Sequence, residues 1–372
     1  MSILSRTAPA SVEGQHFTVG THTYSVIRSL GRYGVAEHFL ARSTGRSGRL
    51  VLIQQLQATH RAADRKRLLE EAWLLRLLRH PSIPRVLAVA PRAQRPLVVL
   101  EYVESMSLER LLNRAAVRGQ PLSAPFAAYV TAQVADALHA AHGLTDAHGQ
   151  PLHFVHRDIC PRNIHLTAKG EVQLTGFGAA FTTRPGRPTT PGMLVKGAGE
   201  YAAPEVLLHQ VPDARADLFS LGLVLLELLT HQHGLDPADA HPRWALPGHL
   251  AKLENTLRAE EPGWAPPVQL AARAEHLRPE DVDRMISGAP VALRAVVQRA
   301  LRPPLERRYA SAAAMRDDLR AFLAEQLQPY GKPALAAELR KRVVGQGYRR
   351  AGVQQSYSPV PAEFRRQGVR PC

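Results

Sequence analysis

The stretch His156-Arg157-Asp158-Ile159-Cys160-Pro161-Arg162-Asn163 decides the fold of this 372-residue chain. Before it, five segments have the short β-branched and apolar runs of strands, and one segment has the apolar spacing of a helix. These predicted elements cover Tyr24–Leu30, Ala36–Ala41, Arg49–Leu56, the helix 62–79, Arg85–Ala90 and Leu97–Tyr102. After Glu104 the predicted elements are helices at 108–116, 125–142, 213–230, 291–301 and 311–327, with a small β segment at 164–174. Strands grouped before helices predict an α+β protein with two lobes.

The composition is that of an ordinary globular protein. Apolar residues make up 45% of the chain and charged residues 21%, which excludes global disorder. The two cysteines, Cys160 and Cys372, exclude a disulfide framework and favour a reducing compartment. No N-terminal stretch has the apolar core of a secretory signal, and no apolar run is long enough to span a membrane. We therefore expect a cytoplasmic protein.

The formal net charge of +15 is concentrated at the C-terminus. Residues 329–372 contain nine Lys or Arg against Glu338 and Glu363, which gives this segment +7 of the +15. A terminal segment with this share of the charge is more often an interaction arm than a solvated face. Nucleic acid is one candidate partner for such an arm.

Three segments differ from the rest of the chain in their pattern. Residues 1–23 are predicted to be a flexible leader, and 231–290 has no regular periodicity. Residues 328–372 are predicted to be a basic tail that is disordered beyond Gly345 until it is bound. Within the tail, one face of a short predicted helix carries Leu335, Leu339 and Val343.

The order of the motifs resembles that of bacterial-type Ser/Thr protein kinases. The stretch at 156–163 fits the catalytic loop of that family, in which the residue matching Asp158 orients the acceptor hydroxyl and the residue matching Asn163 binds Mg²⁺. The other matching positions are Gly31 and Gly34 of the glycine-rich loop, the helix glutamate Glu71, the hinge residues Glu101 and Val103, the Ala203-Pro204-Glu205 motif, Asp217, and Arg308 as the partner of Glu205.

The resemblance covers residues 24–327. It implies a two-lobed protein kinase-like fold. The N-lobe and hinge at 24–103 would hold a five-stranded antiparallel sheet and the αC helix, and 104–327 would form a mainly helical C-lobe.

The sequence departs from the family where phosphate and metal are bound. The position of the family's phosphate-binding lysine is Gln54, which has no charge for the phosphates but could still hydrogen-bond to Glu71. The position of the metal-binding Asp is Gly176, so that Asn163 remains as one neutral ligand, and one neutral ligand does not neutralise a triphosphate. The second glycine of the loop is Tyr33, whose ring would occupy space that phosphate approaches.

Other departures line the base pocket and the catalytic loop. The family places small or apolar residues around adenine, whereas this chain has His38, Leu52 and His165 at those positions. The larger Leu52 is expected to overpack the pocket, at a cost of about 1–3 kcal/mol. Cys160 and Ala198 replace the lysine and threonine that in the family meet at the catalytic Asp.

These departures predict a pseudokinase that acts as a scaffold or allosteric partner of another protein. Asp158 and Asn163 would then be remnants, with no phosphoryl transfer, no metal site, and no ATP or Mg²⁺ as cofactor. One alternative is an unconventional ATP-dependent Ser/Thr protein kinase that uses ATP and Mg²⁺. A second is a nucleic-acid-associated protein that binds through 329–372. Glu205 and Arg308 are expected to be a buried structural pair in every case.

Three further groups of residues have a structural interpretation beside the functional one. The cluster His231, His233, Asp236, Asp239 and His241 lacks the spacing of a zinc site. Cys160 is expected to be a small loop residue, although neighbouring arginines could lower a thiol pKa. Activation loops are phosphorylated where this chain has Thr182, Thr183, Thr189 and Thr190, but an unregulated loop is equally favoured.

Overall fold

The computed structural model describes residues 14–45, 48–183, 194–195, 197–236, 250, 258–259 and 265–343. The chain divides into two compact units. Among the described residues, the first unit contains those up to Arg76 together with Pro84–Val103. The second unit contains Leu77–Ile83 and the residues from Glu104 onward.

The first unit is built on an antiparallel sheet of six strands in the order β1-β2-β3-β4-β6-β5. Its strands are β1 His16–Val19, β2 His22–Tyr33, β3 Ala36–Ser43, β4 Leu50–Leu56, β5 Val86–Ala90 and β6 Leu97–Glu101. Helix α1, Ala62–Leu77, lies between β4 and β5 in the chain and buries Leu68 and Leu75.

The prediction of five strands and of a leader through residue 23 is wrong because β1 is a strand of this sheet. Phe17 and Val19 are buried, and Phe17 pairs with Tyr24 on β2. The alternation extends over only four residues, His16–Val19. So short a run does not distinguish a strand from a polar leader by periodicity alone.

The second unit is mainly helical. Its helices are α2 Leu108–Val117, α3 Ala124–His142, α4 Pro204–Leu207, α5 Arg215–Thr230, α6 Pro267–His276, α7 Pro279–Met285, α8 Val291–Ala300, α9 Ala312–Ala324 and α10 Lys332–Val343. Its strands are β7 Ser105–Ser107, β8 Ile164–Thr167 and β9 Val172–Leu174 in one sheet, and β10 Leu194–Val195 paired with β11 Arg258–Ala259. A sheet-rich unit followed by a helical unit confirms the predicted α+β class.

The core of the second unit forms around α3 and α5, which pack against each other. Every residue of α5 from Ala216 to Leu226 is buried. A helix that is apolar on all sides is a core helix, so α5 provides a fixed base for the segments attached to it. Helix α3 begins where the side chain of Ser123 accepts a hydrogen bond from the amide of Phe126 at 3.2 Å, which is a typical N-cap.

Part of segment 231–290 is regular, although its sequence has no clear period. Helices α6 and α7 lie within it, and α6 buries Arg273. The Arg273 guanidinium donates to the carbonyls of Leu235 and Asp236, which fixes the end of the preceding segment. Most of residues 237–264 lie outside the described residues.

The predicted basic tail is folded in its first part. Helix α10 buries Leu335, Ala336 and Leu339. The helix starts against the β8–β9 turn, where a Cβ added to Gly170 would lie 2.0 Å from the carbonyl oxygen of Lys332. The boundary at 328 is therefore wrong, because 332–343 belongs to the second unit. The predictions for 344–372 lie outside the described residues.

No helix among the described residues is long and apolar enough to cross a membrane.

Candidate active site

The stretch at 156–163 is held in place by a buried carboxylate from the start of α5. Asp217 accepts hydrogen bonds from the amides of His156, at 2.8 Å, and Arg157, at 2.9 Å. It also lies 2.8 Å from Nε2 of His142, the last residue of α3. Burial alone would raise the pKa of Asp217, but the hydrogen bond and charge of His142 lower it below its usual value. The loop backbone is thus fixed to the core by an ionised side chain.

His156 lies fully buried beneath the loop. Its Nδ1 accepts from the amide of Asp158 at 3.2 Å, and its Nε2 lies 3.1 Å from the carbonyl of Thr175. The ring also contacts the edge of Phe177, with the ring centroids 4.6 Å apart. Burial lowers the pKa of His156 to about 4, so the neutral ring acts as a structural link between two segments.

Asp158 is oriented by a main-chain amide. Its Oδ1 accepts from the amide of Ala198 at 2.7 Å. The same oxygen lies 3.6 Å from the guanidinium of Arg162 and 3.8 Å from Sγ of Cys160. The sequence indicates correctly that the lysine and threonine side chains are missing here. It does not reveal that the backbone of Ala198 supplies a donor in their place.

Gly197 permits this contact. Its φ is +78°, and an added Cβ would lie 2.5 Å from the carbonyl of Arg157 and 2.9 Å from Oδ1 of Asp158. Any side chain at 197 would therefore push the amide of Ala198 away from the carboxylate. The glycine next to Ala198 is the one sequence signal that could have indicated this close approach.

Cys160 is a buried structural residue of the loop. Burial raises the pKa of its thiol well above the usual range, with a further contribution from the charge of Asp158, and Arg162 does not reverse this. The thiol is therefore protonated, which agrees with the structural interpretation of this residue.

Asn163 and Gly176 occupy a single small volume. Nδ2 of Asn163 donates to the carbonyl of Asp158 at 2.8 Å. Gly176 has φ of +88°, and an added Cβ would lie 2.4 Å from that nitrogen and 2.6 Å from Cγ of Asn163. The position that binds metal in the family therefore has neither a side chain nor space for one.

Three residues predicted for the nucleotide site, Gln54, Glu71 and His38, lie close together in the first unit. Gln54 hydrogen-bonds to Glu71, as the sequence suggested, and its Nε2 lies 3.2 Å from Nε2 of His38. Burial raises the pKa of Glu71 to about 7, against the opposing charge of Arg67 and the hydrogen bond of Gln54. Burial lowers the pKa of His38 to about 4. Gln54, next to a neutral His38, thus takes the place of the family's lysine, and the carboxyl of Glu71 titrates near pH 7 instead of forming an ion pair with a lysine.

Tyr33 folds back over the glycine-rich loop. Its hydroxyl donates to the carbonyl of Leu30 at 2.8 Å, and it would lie 3.2 Å from a Cβ added to Gly31. The ring contacts the edge of His38, with centroids 5.2 Å apart. Gly34 forms the turn between β2 and β3, where φ is +53°. The loop therefore has a side chain packed on one face instead of an open backbone.

The other predicted site residues lie as follows. Leu52 is on β4, and Val103 ends the first unit. Glu101 forms ion pairs with Arg49 and with Arg85, the latter at 3.1 Å. In the second unit, His165 on β8 has Nδ1 3.4 Å from Oγ of Ser105, and burial lowers its pKa to about 4.

Glu205 and Arg308 form a buried bidentate pair. The two guanidinium nitrogens lie 2.7 and 2.9 Å from the two carboxylate oxygens. Arg308 also donates to the carbonyls of Arg302 and Pro303, at 2.6 and 2.8 Å, so most of its donors are paired within the second unit.

Within the described part of the chain, no three His, Cys, Asp or Glu side chains are placed to hold a metal ion. His231 accepts from the amide of Leu122 at 3.3 Å, and His233 accepts from the amide of Leu235 at 3.1 Å. Thr182 is buried, and Thr183 donates to the carbonyl of Leu152. Asp239, His241, Thr189 and Thr190 lie outside the described residues.

The chain matches the model of a known protein family. The model of the protein kinase domain matches residues 24–264. Tyrosine-protein kinase MasK of Myxococcus xanthus is 32% identical over 85% of this chain and 45% of its own length. Serine/threonine-protein kinase Pkn1 of Myxococcus xanthus is 30% identical, over 96% of this chain and 48% of its own length. The chain thus spans about half the length of these curated relatives.

A solved structure agrees with the fold. The kinase domain of Mycobacterium tuberculosis PknI is 22% identical, with a TM-score of 0.53 over 84% of this chain and 99% of that domain. At this identity the likeness concerns the fold, and it confirms the predicted kinase-like architecture.

The prediction of a pseudokinase scaffold is overturned by these relatives. MasK, Pkn1 and PknB of Mycolicibacterium smegmatis are all named as protein kinases, for tyrosine in the first case and for serine or threonine in the others. The alternative interpretation, an ATP-dependent protein kinase, is the better supported of the two.

Proposed function

This chain belongs to the protein kinase domain family, and from that membership we propose that it is the catalytic domain of an unconventional ATP-dependent protein kinase. It transfers the γ-phosphoryl group of ATP to a serine or threonine hydroxyl of a partner protein. The proposal concerns this chain alone, because the curated relatives are about twice as long.

The observation that carries the proposal is the fixed carboxylate of Asp158. Its Oδ1 accepts from the amide of Ala198 at 2.7 Å, and the loop that bears it is fixed to α5 through Asp217. A positioned carboxylate can orient an acceptor hydroxyl and receive its proton. Because most of the catalysis in phosphoryl transfer comes from positioning and electrostatics, a rigid loop contributes directly to the rate.

Positive charge near the loop comes from Arg162. Its guanidinium lies 3.6 Å from Oδ1 of Asp158 and is partly buried. Negative charge is spread over the transferred phosphoryl group in the transition state, and a cation held nearby stabilises it. This cation is a feature of the loop itself, in a chain that has Gln54 at the position of the family's lysine.

ATP supplies the phosphoryl group, and kinase relatives imply that Mg²⁺ accompanies it. The residues of this loop do not fit a metal site built by the protein. Position 176 has no side chain, and the space around it is filled by Asn163. We therefore assign no step of the reaction to a metal bound by these two residues.

The test is phosphate transfer from radiolabelled ATP to a general protein acceptor and to the chain itself. Asp158→Asn should lower the rate by a factor on the order of 10²–10⁴, the usual share of a positioned acid or base. Asp317→Asn is the matched control, because it neutralises an exposed aspartate of the same unit. Phosphoamino-acid analysis of the product then identifies the acceptor hydroxyl, and phosphotyrosine alone would contradict the proposed acceptor.

Equal incorporation by the wild type and Asp158→Asn would refute the assigned role of this carboxylate. No incorporation above background by the wild type would refute the proposed activity.

A further inference from the structure

We propose that this chain has no metal-binding site of its own beside the catalytic loop, because Asn163 fills the volume that a metal-binding side chain at position 176 would need. Asn163 then serves as a structural link between the loop and the turn at 176–179. A divalent cation reaches the site only as part of a metal–nucleotide complex. This inference deepens the proposed function, since it concerns the metal requirement of the same site.

The backbone at position 176 already disfavours a side chain. Gly176 follows β9 and precedes a single helical turn, Phe177–Ala179, with φ of +88°. This is the left-handed region, which glycine adopts without strain and other residues adopt at a cost. An aspartate here would have to pay this conformational cost before it could bind any ligand.

The space at position 176 is taken by the amide group of Asn163. An added Cβ would lie 2.4 Å from Nδ2, 2.6 Å from Cγ and 2.9 Å from Oδ1 of Asn163. All three distances are shorter than 3.0 Å, and real Cβ atoms essentially never approach another heavy atom so closely. The overlap involves the whole amide group, so rotation of the amide about its own axis does not relieve it. Either the side chain or the backbone of one residue has to move.

Asn163 is tethered at both ends, which makes that movement costly. Its Nδ2 donates to the carbonyl of Asp158 at 2.8 Å. Its own carbonyl accepts from the amide of Thr175 at 2.9 Å and from the Thr175 hydroxyl at 3.2 Å. Moving Asn163 aside would therefore break a hydrogen bond to the residue that carries the candidate catalytic carboxylate. The present position of Asn163 and a side chain at 176 exclude each other.

The consequence concerns the chemistry of hard cations. Mg²⁺ and Mn²⁺ are held by several oxygen ligands, usually with at least one carboxylate. The family binds the metal through two side chains, at the positions of Asn163 and Gly176. Because position 176 is glycine, the amide oxygen of Asn163 is the one side-chain oxygen that remains at these two positions. One neutral oxygen does not hold a hard divalent cation at the loop of the nucleotide-free chain.

The first test is a double-mutant cycle on the melting temperature of the full chain, and it needs no catalytic activity. Gly176→Ala is compared in the wild-type background and in the Asn163→Ala background. The φ strain is the same in both backgrounds and cancels, so that the difference reports the overlap with the amide. We expect the loss in melting temperature to be larger with Asn163 present, by about 4 °C.

Gly149→Ala is the matched control, because Gly149 has φ of +78° and no atom within 4 Å of an added Cβ. Its loss should be smaller and should not change with Asn163→Ala. If Gly176→Ala folds only in the Asn163→Ala background, the side chain at 176 is tolerated only without the Asn163 amide, and this outcome supports the proposal. Equal losses in the two backgrounds would overturn the proposal.

The second test is Mn²⁺ binding to the nucleotide-free full chain, followed by electron paramagnetic resonance. We expect no saturable site that Asn163→Ala removes. Saturable binding that is lost in Asn163→Ala would overturn the proposal, whereas binding that survives the substitution lies elsewhere and agrees with it. Both tests are separate from the kinase assay, so a failure of phosphate transfer and a failure of this inference are distinguishable.

Discussion

Helix α10 should contribute to the stability of the second unit, and Leu335→Ala tests this directly. The side chain of Leu335 is 0% exposed. Substitution of a buried leucine by alanine costs about 2–5 kcal/mol, because apolar contacts are lost and a cavity remains. At roughly 2–4 °C per kcal/mol, a loss of about 3 kcal/mol lowers the melting temperature by about 6–12 °C. Thermal unfolding followed by circular dichroism measures this shift.

Leu327→Ala is the matched control. Leu327 lies just before α10 in the chain and is 104% exposed. Its substitution should change the free energy of unfolding by no more than about 0.5 kcal/mol. If Leu335→Ala behaves like Leu327→Ala, α10 is not packed on the second unit in solution, and the whole basic tail is an independent arm.

A polar cluster at Glu338 gives a second reason to expect that α10 is packed on the second unit. The carboxylate accepts from the amide of Ser123 at 3.2 Å, the Ser123 hydroxyl at 2.7 Å and the Tyr330 hydroxyl at 2.7 Å. Arg342 donates to it at 3.0 Å. Burial would raise the pKa of Glu338, but these partners lower it below its usual value. The helix is thus attached to the N-terminus of α3 by an ionised side chain as well as by apolar contacts.

Three other predictions concern the buried ion pair, the pH dependence of stability and the C-terminal residues. Arg308→Ala leaves Glu205 buried without its partner and should destabilise the chain by about 3–5 kcal/mol in chemical denaturation, whereas Arg307→Ala, at an exposed position, should not. The pKa of Glu71 is raised from 4.5 to about 7. The stabilisation from its protonated form is therefore complete below pH 4.5 and is lost as the pH rises through 7. Glu71→Gln should thus gain stability relative to the wild type between about pH 5 and pH 8, by up to about 3 kcal/mol, and a constant difference across this range would contradict it. Removal of 344–372 should leave the melting temperature unchanged but weaken binding to a polyanion such as heparin, most strongly at low salt; undiminished binding would place the basic surface elsewhere.

The sequence predicted most of the fold because the strong periodic segments agree with their elements. The helix predicted at 125–142 is α3, Ala124–His142, and the helix predicted at 213–230 is α5, Arg215–Thr230. Strand β1 and the packing of α10 were missed for a common reason. Each of these elements is defined by a contact that its own sequence pattern does not show. Strand β1 pairs with β2 at Tyr24, and α10 begins against the turn at Gly170.

The candidate site was predicted less completely, because its main departures from the family are made by backbone and by empty space. The loss of side chains at Cys160 and Ala198 can be read from the sequence, but the amide that replaces them cannot. The glycine at 176 can also be read, but not the fact that Asn163 has filled its space. The inference from missing side chains to missing activity was therefore too direct.

The most direct test of the central claim is to incubate the purified chain with ATP labelled isotopically in its γ-phosphoryl group and to locate the label by mass spectrometry. We predict that the label appears on a serine or threonine hydroxyl of the chain or of an added protein in the wild type, and is nearly absent with Asp158→Asn. A contaminating kinase would label both preparations equally. Equal labelling of the two proteins, or no labelling by the wild type, would contradict the account.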